Sequence, residues 1–469
     1  MPTVMIGLDG ADPELIERWE EELPNFREIK EQGFHGELQS ITPPITVPAW
    51  MCMLSGKKPG DFETWDFGNL DFQKYEINPV NSSFFKGKTM IDSDKKTISF
   101  RVPGTTPGYQ INGDMISGFM KAEEMEFQSE ELKRQVEEEL EIDLKPFSEG
   151  EKQEIAANNF EQNVKIFKWL LENREFDRAF SVFRMIDTYM HDVNNEAEMK
   201  EAYMKADKAL GEFRYLCDEN NWNLAITSDH GSGETNKKLY LNAWLRKKGY
   251  AEYSKSEKSL KKKTTDKTVN IGLKLGLKPA MKKIKNIIES STGQNLQPGK
   301  GGIMDGIDLE KSVAFSNLSA VSNYGAVWIH DEERFSKGRV KNREKKAHEI
   351  KNELEKEKYI KSVQTAEDLG FTDEMPDLII EAEQDIVIGG EIYTNKFHHT
   401  KAVAHNEEGV WMGEGPAFEN THLDADILDV APTIQAIDGA VSDSEGEVIE
   451  ELLKTNKYQE SEDIGNLDI

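Results

Sequence analysis

The sequence predicts an α/β fold in which helices flank a mostly parallel central sheet, with a smaller inserted cap region. Three observations support this prediction. Short apolar runs alternate with helical patterns along the chain, and three of those runs end at an aspartate. The length of 469 residues also exceeds what one small core uses, which suggests two or three domains, or one large α/β domain with an insertion.

The first elements can be assigned from their apolar periodicity. Residues 4–8 form a short apolar run, which predicts a strand that ends at Asp9. A helical pattern follows and closes at Gly33, and a second helical segment, WMCMLSG, closes at Gly56. After a stretch rich in β-branched residues, proline and glycine, residues 123–173 are charged and helical in pattern.

Two further strands are predicted to end in an acid. The run FDRAFSVFRMID predicts a strand that ends near Asp187, and NWNLAITSD predicts one that ends at Asp229, with a helical pattern between them. In open α/β sheets, ligands bind outside the carboxyl ends of parallel strands. We therefore expect Asp9, Asp187 and Asp229 to gather at one edge of the sheet.

The composition changes in the second half of the chain, where residues 254–285 form a lysine-rich island in an acidic protein. This segment is interpreted as an insertion or cap. It is compatible with a solvated charged loop and one amphipathic helix, or with a contact to a membrane surface or polyanion. The predicted divisions are a first part of the catalytic core (1–252), the lysine-rich insertion (253–302), a second part of the core (303–457) and an acidic tail (458–469).

The charge balance limits the possible partners. The chain has 58 basic and 87 acidic residues and a formal net charge of −29, which argues against general nucleic-acid binding. Its two cysteines, Cys52 and Cys217, form neither a disulfide framework nor a zinc-finger spacing. The sequence shows no signal peptide and no apolar stretch near the roughly 20 residues that cross a membrane. We expect a cytoplasmic protein without a transmembrane segment; nothing in the sequence indicates its oligomeric state.

Two acid–histidine pairs are candidate metal ligands. Asp187 and His191 are four residues apart, so a helix at this point would place both on one face, where they can share a metal. Asp229 and His230 are adjacent, before the irregular segment GSGE. A solvent-facing helical pair and a capped turn are the ordinary alternatives. Nitrogen and oxygen ligands of this kind suit zinc or manganese.

Thr46 is the candidate nucleophile. It lies among Pro43, Pro44 and Pro48, immediately before the helical segment. A threonine at a helix start commonly only caps backbone N–H groups. Beside a divalent metal, however, its hydroxyl can lose its proton more easily and become a nucleophile. The helix that follows would direct N–H groups toward an anion, which suits phosphoryl transfer.

These segments together resemble the alkaline phosphatase superfamily, most closely its type I phosphodiesterase / nucleotide pyrophosphatase branch. The resemblance covers most of the chain, and the order of its motifs makes it specific. The segments that carry it are MIGLDG, TPPITVPAWMCMLSGKKPG, VPGTTPGYQINGDMISGF, DTYMHD, TSDHG, LYLNAWLRKKGY, IDLEKSVAFS, HNEEGVWMGEGP and DILDVAPT.

The resemblance implies a set of seven metal-binding and nucleophilic residues. One divalent metal would be held by Asp9, Thr46, Asp229 and His230, with Thr46 also the nucleophile. The other would be held by Asp187, His191 and His405.

The residues alone do not decide which histidine completes the set, because His398 and His399 lie close to His405 in the sequence. The family has glycine four residues after this histidine, and Gly-Pro ten and eleven residues after it. His405 fits that spacing, with Gly409, Gly415 and Pro416, and the other two histidines do not.

The resemblance implies a hydrolase of small-molecule phosphate esters that uses two divalent metal ions, zinc or alternatively manganese. Phosphodiester hydrolysis through a phosphothreonine intermediate is the main hypothesis. Nucleotide pyrophosphatases often carry an asparagine 20 or 21 residues after the nucleophile, where it contacts the phosphate oxygen. Here Asp66 stands at this place, so Asp66 is a candidate substrate-binding residue.

Two other functions stay open. A phosphomonoesterase or phosphoglycerate-mutase-like enzyme of the same superfamily would need arginine or lysine to hold a dianionic monoester. Near Thr46 in the sequence, only Lys57 and Lys58 offer such charge, which favours a diester. A non-catalytic metal-binding protein is the alternative from another class; such relatives usually lose the nucleophile or a ligand, and here all seven positions are filled.

Overall fold

A computed structural model describes residues 1–118, 125–145, 147, 151–192, 195–254, 306–317, 321–440 and 443–454. The strands in these ranges are β1 (Thr3–Leu8), β2 (Phe34–Gln39), β3 (Gly68–Asp71), β4 (Glu76–Pro79), β5 (Thr97–Phe100), β6 (Gly113–Ser117), β7 (Glu126–Phe127), β8 (Arg178–Phe183), β9 (Asn223–Thr227), β10 (Gly231–Tyr240), β11 (Ala314–Phe315), β12 (Tyr324–Ile329), β13 (Ile360–Thr365), β14 (Leu378–Ala382), β15 (Ile386–Gly389), β16 (Phe397–Asn406), β17 (Glu408–Glu414) and β18 (Ala425–Asp426).

The α-helices in the same ranges alternate with many of these strands, as the sequence predicts. They are α1 (Pro13–Arg18), α2 (Pro24–Gln32), α3 (Thr46–Ser55), α4 (Glu130–Leu140), α5 (Lys152–Asn173), α6 (Met185–Asp192), α7 (Glu196–Asn220), α8 (Leu241–Lys248), α9 (Arg343–Leu354) and α10 (Val430–Ile437). None of the helices in the described ranges combines the length and apolar character that a membrane span requires.

Two compact units divide the chain. The first comprises residues 1–67, 80–234 and 402–469, and the second comprises 68–79 and 235–401. The second unit includes far more of the chain than the predicted insertion at 253–302, because strands β11 to β15 bury a core of their own. Nearly all of that insertion and the acidic tail at 458–469 lie outside the described residues, so the predicted divisions stay a prediction.

The first unit is built on a nine-stranded sheet with the order β18-β2-β17-β9-β1-β8-β5-β6-β7. Its centre, from β9 to β6, is parallel throughout. β17 enters antiparallel between β2 and β9. This arrangement confirms the predicted α/β class with a mostly parallel central sheet.

β1 shows why the sheet is covered on both faces. All six of its residues are buried, as expected of an interior parallel strand. Val4, Ile6 and Leu8 join the core formed with α4 to α7, while Met5 joins the core formed with α3 and α10. Gly7 faces Trp50, and a Cβ at this glycine would lie 2.4 Å from the indole ring. Close packing of α3 on the sheet therefore requires glycine here.

The second unit contains a four-stranded antiparallel sheet with the order β11-β12-β14-β13. α8 and α9 contribute Trp244, Leu245, Ile350 and Leu354 to its buried core. β10, which begins in the first unit, pairs with β15 through residues 237–240 of the second unit.

Candidate active site

The predicted acids lie where three neighbouring parallel strands end. Asp9 follows β1 directly, and Asp229 lies two residues beyond β9. The prediction that a strand ends near Asp187 was wrong: β8 ends at Phe183, and Asp187 belongs to the first turn of α6. The helix therefore supplies the i, i+4 spacing that places Asp187 and His191 on one face.

Backbone hydrogen bonds tie these segments together. The N–H of Asp187 donates to the carbonyl of Asp9 at 3.1 Å, and the N–H of Gly10 donates to Oδ1 of Asp229 at 3.3 Å. Gly10 has a φ of 72°, and a Cβ there would lie 3.3 Å from Asp187 Cβ and from His230 Cε1. The turn after β1 thus requires glycine for both its conformation and its space.

The carboxylates are buried with little compensation. Asp9 and Asp229 are fully buried, and Asp187 is nearly so. Within the described residues, both oxygens of Asp9 and Oδ2 of Asp229 lack a hydrogen-bond donor. Burying a carboxylate without a partner is costly, and a bound cation could offset that cost.

Two histidines are oriented by backbone carbonyls. Nδ1 of His230 lies 3.0 Å from the carbonyl of Gly231, and Nδ1 of His405 lies 3.0 Å from the carbonyl of Pro44. A carbonyl only accepts, so each Nδ1 carries the proton and leaves Nε2 with its lone pair. This outer contact is the usual way to fix a metal-binding imidazole.

The Nε2 atoms of the histidines point toward the carboxylates. His230 Nε2 lies 3.5 Å from Asp9 Oδ1 and 3.4 Å from Asp229 Oδ2. His191 Nε2 lies 3.1 Å from Asp187 Oδ1 and 3.1 Å from His405 Nε2. The rings of His230 and His405 stack at 3.6 Å between centroids.

Two groups of ligand atoms, each within 4.8 Å, can be drawn from this cluster: Asp9, Asp229 and His230, and Asp187, His230 and His405. The sequence-based partition had placed His191, rather than His230, beside Asp187 and His405. Since His191 contacts both of these, the structure brings the predicted ligands together, and their division between two metals stays a prediction.

Thr46 is the first residue of α3 and is buried. Its Oγ1 lies 3.5 Å from His230 Nε2. The helix ends at Gly56, which takes the left-handed conformation at the C-terminal cap. The first backbone N–H groups of a helix have no partner within it, so the start of α3 offers donors beside the threonine hydroxyl.

Burial and repulsion between like charges shift the pKa values of the cluster. Burial raises the pKa of Asp9 far above its ordinary value, and the charges of Asp229 and Asp187 raise it further. Burial also raises the pKa of Asp229 to about 6, although His230 opposes this shift. For His405, burial and then the charge of His230 depress the pKa. A group of divalent cations would relieve each of these penalties.

The donor set fits divalent metal ions. It offers carboxylate oxygens without hydrogen-bond donors and imidazole nitrogens with their lone pairs directed inward. Oxygen and nitrogen ligands in this mixture suit zinc and manganese.

Asp66 forms its hydrogen bond outside this cluster. It is buried, and Oδ1 accepts from the N–H of Phe67 at 2.7 Å. Among the described residues, its carboxylate makes no hydrogen bond or ion pair with any of the seven predicted site residues. Its predicted contact with substrate stays a prediction.

Two residues beside the cluster were not predicted from the sequence. Gly10 is signalled only by the Asp-Gly pair after a strand, a common turn motif. Arg184 has no motif, yet its Nε lies 3.5 Å from Asp187 Oδ2. Its position immediately after β8, at the carboxyl end of a central strand, is the signal that identifies it in retrospect.

A family model described as type I phosphodiesterase / nucleotide pyrophosphatase matches residues 3–411. No curated protein sequence matches the chain.

Solved structures show the same fold. Murine ectonucleotide pyrophosphatase / phosphodiesterase 5 matches with a TM-score of 0.58 and 13% identity, over 97% of this chain and 100% of its own. An inactive threonine-to-alanine variant of that murine protein was solved in complex with AMP. Phosphonoacetate hydrolase from Sinorhizobium meliloti, in complex with phosphonoacetate, matches with a TM-score of 0.58 and 12% identity, over 92% of this chain and 94% of its own.

The family match spans most of the chain and confirms both the predicted resemblance and the predicted enzyme class. The chain belongs to the type I phosphodiesterase / nucleotide pyrophosphatase family, whose members hydrolyse phosphate ester bonds.

Proposed function

We propose that this protein hydrolyses small phosphate diesters, with Thr46 as nucleophile and two divalent metal ions in the buried cluster. One observation carries the proposal: the Thr46 hydroxyl lies at a helix start, 3.5 Å from His230 Nε2, beside carboxylate oxygens of Asp9 and Asp229 that have no hydrogen-bond donor among the described residues. The inactive threonine variant of the murine relative supports a reactive threonine in this fold.

Seven residues would hold the metals. Asp9, Thr46, Asp229 and His230 would bind one ion, and Asp187, His191 and His405 the other. When bound, the ions lower the pKa of the threonine hydroxyl and neutralise charge on the phosphate oxygens. Zinc is proposed from the mixed nitrogen and oxygen ligands, with manganese as the alternative.

The chain itself carries out two displacements. Thr46 Oγ1 attacks phosphorus, so that a P–O bond to threonine forms, the bond to the leaving alcohol breaks, and that alcohol takes up a proton. Backbone N–H groups at the start of α3 donate to phosphate oxygens during this step. Water then attacks the phosphothreonine from the side that the alcohol has left, which releases the monoester and restores the hydroxyl.

A paired assay tests this proposal. Protein stripped with a chelator and reloaded with zinc or manganese is given bis(p-nitrophenyl) phosphate and p-nitrophenyl phosphate. We expect metal-dependent turnover of the diester well above that of the monoester. Thr46→Ala should abolish it, whereas Thr46→Ser, which keeps a hydroxyl, should retain measurable activity. Diester turnover that survives in Thr46→Ala would rule out this nucleophile.

A monoesterase or mutase-like activity is the second candidate. It is favoured by Arg184, whose Nε lies 3.5 Å from Asp187 Oδ2 and which adds positive charge beside the cluster. Preference for p-nitrophenyl phosphate in the same assay would select it. Metal content without turnover of either ester would instead support a non-catalytic metal-binding protein.

The cytoplasmic location inferred from the sequence also stays a proposal. Its support is the presence of two buried cysteines without a disulfide between them. Cell fractionation with an antibody against the protein tests it.

A further inference from the structure

A cavity with several polar side chains in an otherwise apolar lining lies beside the acidic cluster, in the first unit. It has a volume of about 230 Å³ and is formed where β5 and β8 end, against α5 and α6. Unlike the cluster, its polar lining is cationic and amide-bearing. The lining residues with polar side chains are Arg101, Lys152, Asn159, Asn163, Arg184 and Thr188.

Arg101 is the most unusual of these residues. It follows β5 directly and has a φ of 53°, a left-handed conformation that costs energy in a residue other than glycine. The residue is only 7% exposed, and its Nη1 is buried without a hydrogen-bond partner among the described residues. In the same part of the chain, no carboxylate lies within ion-pair distance of it. Burial without a partner makes this guanidinium destabilising.

Arg184 increases the free-energy cost of burying Arg101. Burial, and then the like charge of Arg184, lower the pKa of Arg101 to about 10. Two arginines therefore line one cavity, and among the described residues no carboxylate lies within ion-pair distance of Arg101. Asn163, which is also buried, contributes a further polar group whose Oδ1 has no partner in the described structure.

Arg178 shows how the same unit treats a structural arginine. It is fully buried at the start of β8, yet Nε and Nη2 donate to the two carboxylate oxygens of Asp438 at 2.6 and 2.7 Å. Nη1 adds contacts with Met90 O and Ser93 Oγ, each at 3.4 Å. An arginine that only supports the fold is thus paired on several sides, and Arg101 is not.

The cavity adjoins the proposed reaction centre. Arg184 lines the cavity, and its Nε lies 3.5 Å from Asp187 Oδ2. Its charge also lowers the pKa of Asp9, against the larger effect of burial. A substrate at the acidic cluster can therefore extend an anionic group into the cavity.

We propose that this cavity binds a second anionic group of the substrate, a phosphate or carboxylate, which Arg101 and Arg184 hold while the reacting phosphate lies at Thr46. The substrate class is thus a phosphate diester whose retained alcohol carries its own negative charge. This inference rests on the proposed diesterase function. Guanidinium groups suit either anion, because their planar N–H donors match carboxylate and phosphate oxygens.

Three chromogenic diesters with one leaving group separate the possibilities. They are ethyl, 2-carboxyethyl and 2-phosphonoethyl p-nitrophenyl phosphate, which differ only in the charge of the retained alcohol. We expect kcat/KM for at least one anionic diester to exceed that for the ethyl diester tenfold or more. The diester whose kcat/KM exceeds that of the ethyl diester identifies the anion that the cavity binds. Equal values for all three, or a higher value for p-nitrophenyl phosphate, would overturn the inference and leave a simple esterase.

Arg101→Gln removes the charge from the cavity. It should lower kcat/KM for the preferred anionic diester at least tenfold and change that for the ethyl diester less than twofold. Arg101→Lys, which keeps a charge, should retain part of the preference. Arg134→Gln removes an exposed arginine on α4 and is the matched control, with no selective loss expected. An equal loss on all three diesters would contradict a binding role.

A binding measurement separates this inference from the proposed function. Inorganic phosphate is titrated calorimetrically into chelator-treated protein, so that metal-bound phosphate does not contribute. We expect wild type and Thr46→Ala to bind it equally, and Arg101→Gln at least tenfold more weakly. If binding follows this pattern but no ester is turned over, the cavity is an anion site and the diesterase proposal is rejected. Unchanged binding in Arg101→Gln would reject the cavity instead.

Melting temperature gives a last check on whether Arg101 has only a structural role. Because its buried Nη1 has no hydrogen-bond partner in the described part of the chain, Arg101→Gln should melt at the same temperature as wild type or a few degrees higher. A large fall in melting temperature would show that the arginine supports the fold, and would contradict the inference.

Discussion

Two groups of buried aspartates, one in each unit, differ in how completely they are paired. In the second unit, Asp331 and Asp377 surround Arg334, whose Nε and Nη2 each lie 2.7 Å from a carboxylate oxygen. In the first unit, Asp9 and Asp229 bury oxygens that have no donor within the described structure. Both groups are removed from water, so the difference lies in their partners.

The paired group is satisfied at nearly every atom. Oδ1 of Asp331 accepts from the N–H groups of Glu333 and Arg334, at 3.0 and 2.9 Å. Oδ2 of Asp377 also accepts from the N–H of Ile329 at 2.6 Å. Burial alone raises the pKa of Asp331, but the bonds from Arg334 outweigh it and hold the pKa below its ordinary value.

The comparison shows what each group is for. The chain can pair buried carboxylates with arginine and backbone N–H groups, and it does so where the group only supports the fold. At the carboxyl ends of β1 and β9 it leaves three carboxylate oxygens without a donor among the described residues, which costs stability unless a cation binds. Substitutions should therefore have opposite effects on stability in the two groups.

The largest effect is expected for Asp9→Asn. It should lower turnover of bis(p-nitrophenyl) phosphate by roughly a thousandfold or more, because a metal ligand is lost. Elemental analysis should show less bound metal, while the metal-free variant should melt no lower than metal-free wild type. A variant that keeps full metal content and activity would show that Asp9 is not a ligand.

Arg334→Met should act in the opposite way. It leaves Asp331 and Asp377 buried without their main partner, so the free energy of unfolding should fall by about 3 to 5 kcal/mol. Denaturant unfolding measures this change, and the bound metal per folded molecule should stay constant. If stability is unaltered, the pairing in the second unit does not contribute as the structure suggests.

Metal removal should expose the cost of the unpaired group. A metal present at a hundredfold excess over its dissociation constant adds about 3 kcal/mol to stability, so chelation should lower the melting temperature of wild type. Asp9→Asn should lose most of this difference. Equal melting temperatures of wild type with and without zinc or manganese would argue against binding at this site.

A smaller, pH-dependent effect is expected at Asp66. Burial raises its pKa to about 6, so between this value and the ordinary pKa the folded protein holds a proton that the unfolded chain has lost. Stability should fall as the pH rises through that range. Asp66→Asn should be more stable than wild type by roughly 2 kcal/mol at pH 8, and the gain should vanish near pH 4.

Asp331→Asn supplies the control with the opposite sign. Its native pKa is lowered, so its contribution is present above the ordinary pKa and is lost as the pH falls. The substitution should destabilise the protein at pH 7 and less so at low pH. Parallel pH profiles for the two variants would refute the contrast between Asp66, whose pKa burial raises, and Asp331, whose pKa its bonds with Arg334 lower.

The sequence predicted the part of the site that depends on local pattern. An apolar run followed by an aspartate correctly predicted that Asp9 and Asp229 follow strands, and parallel strands end at one edge of the sheet. It placed Asp187 on the wrong element, because the apolar residues Met185 and Ile186 extend the strand-like run although the backbone there is already helical. Short apolar runs do not distinguish strand from helix.

Features that depend on contacts distant in sequence were not predictable in this way. The orientation of His405 comes from the carbonyl of Pro44, 361 residues away. The isolation of Arg101 depends on what β8 and α5 place around it, and nothing next to it in the sequence signals this. The second unit was underestimated for the same reason: its core joins strands from 314 to 388 whose pairing is antiparallel and non-local.

The position of β17 has a consequence for how the protein matures. β17 lies between β2 and β9, so these two strands join one sheet only after residues 408–414 have left the ribosome. His405 emerges just ahead of that strand. The ligand set is therefore incomplete until residue 405 has emerged, and metal loading should follow the joining of these strands. Until then, the carboxylates at residues 9 and 229 remain hydrated, and their burial is deferred to the moment at which a cation can neutralise them.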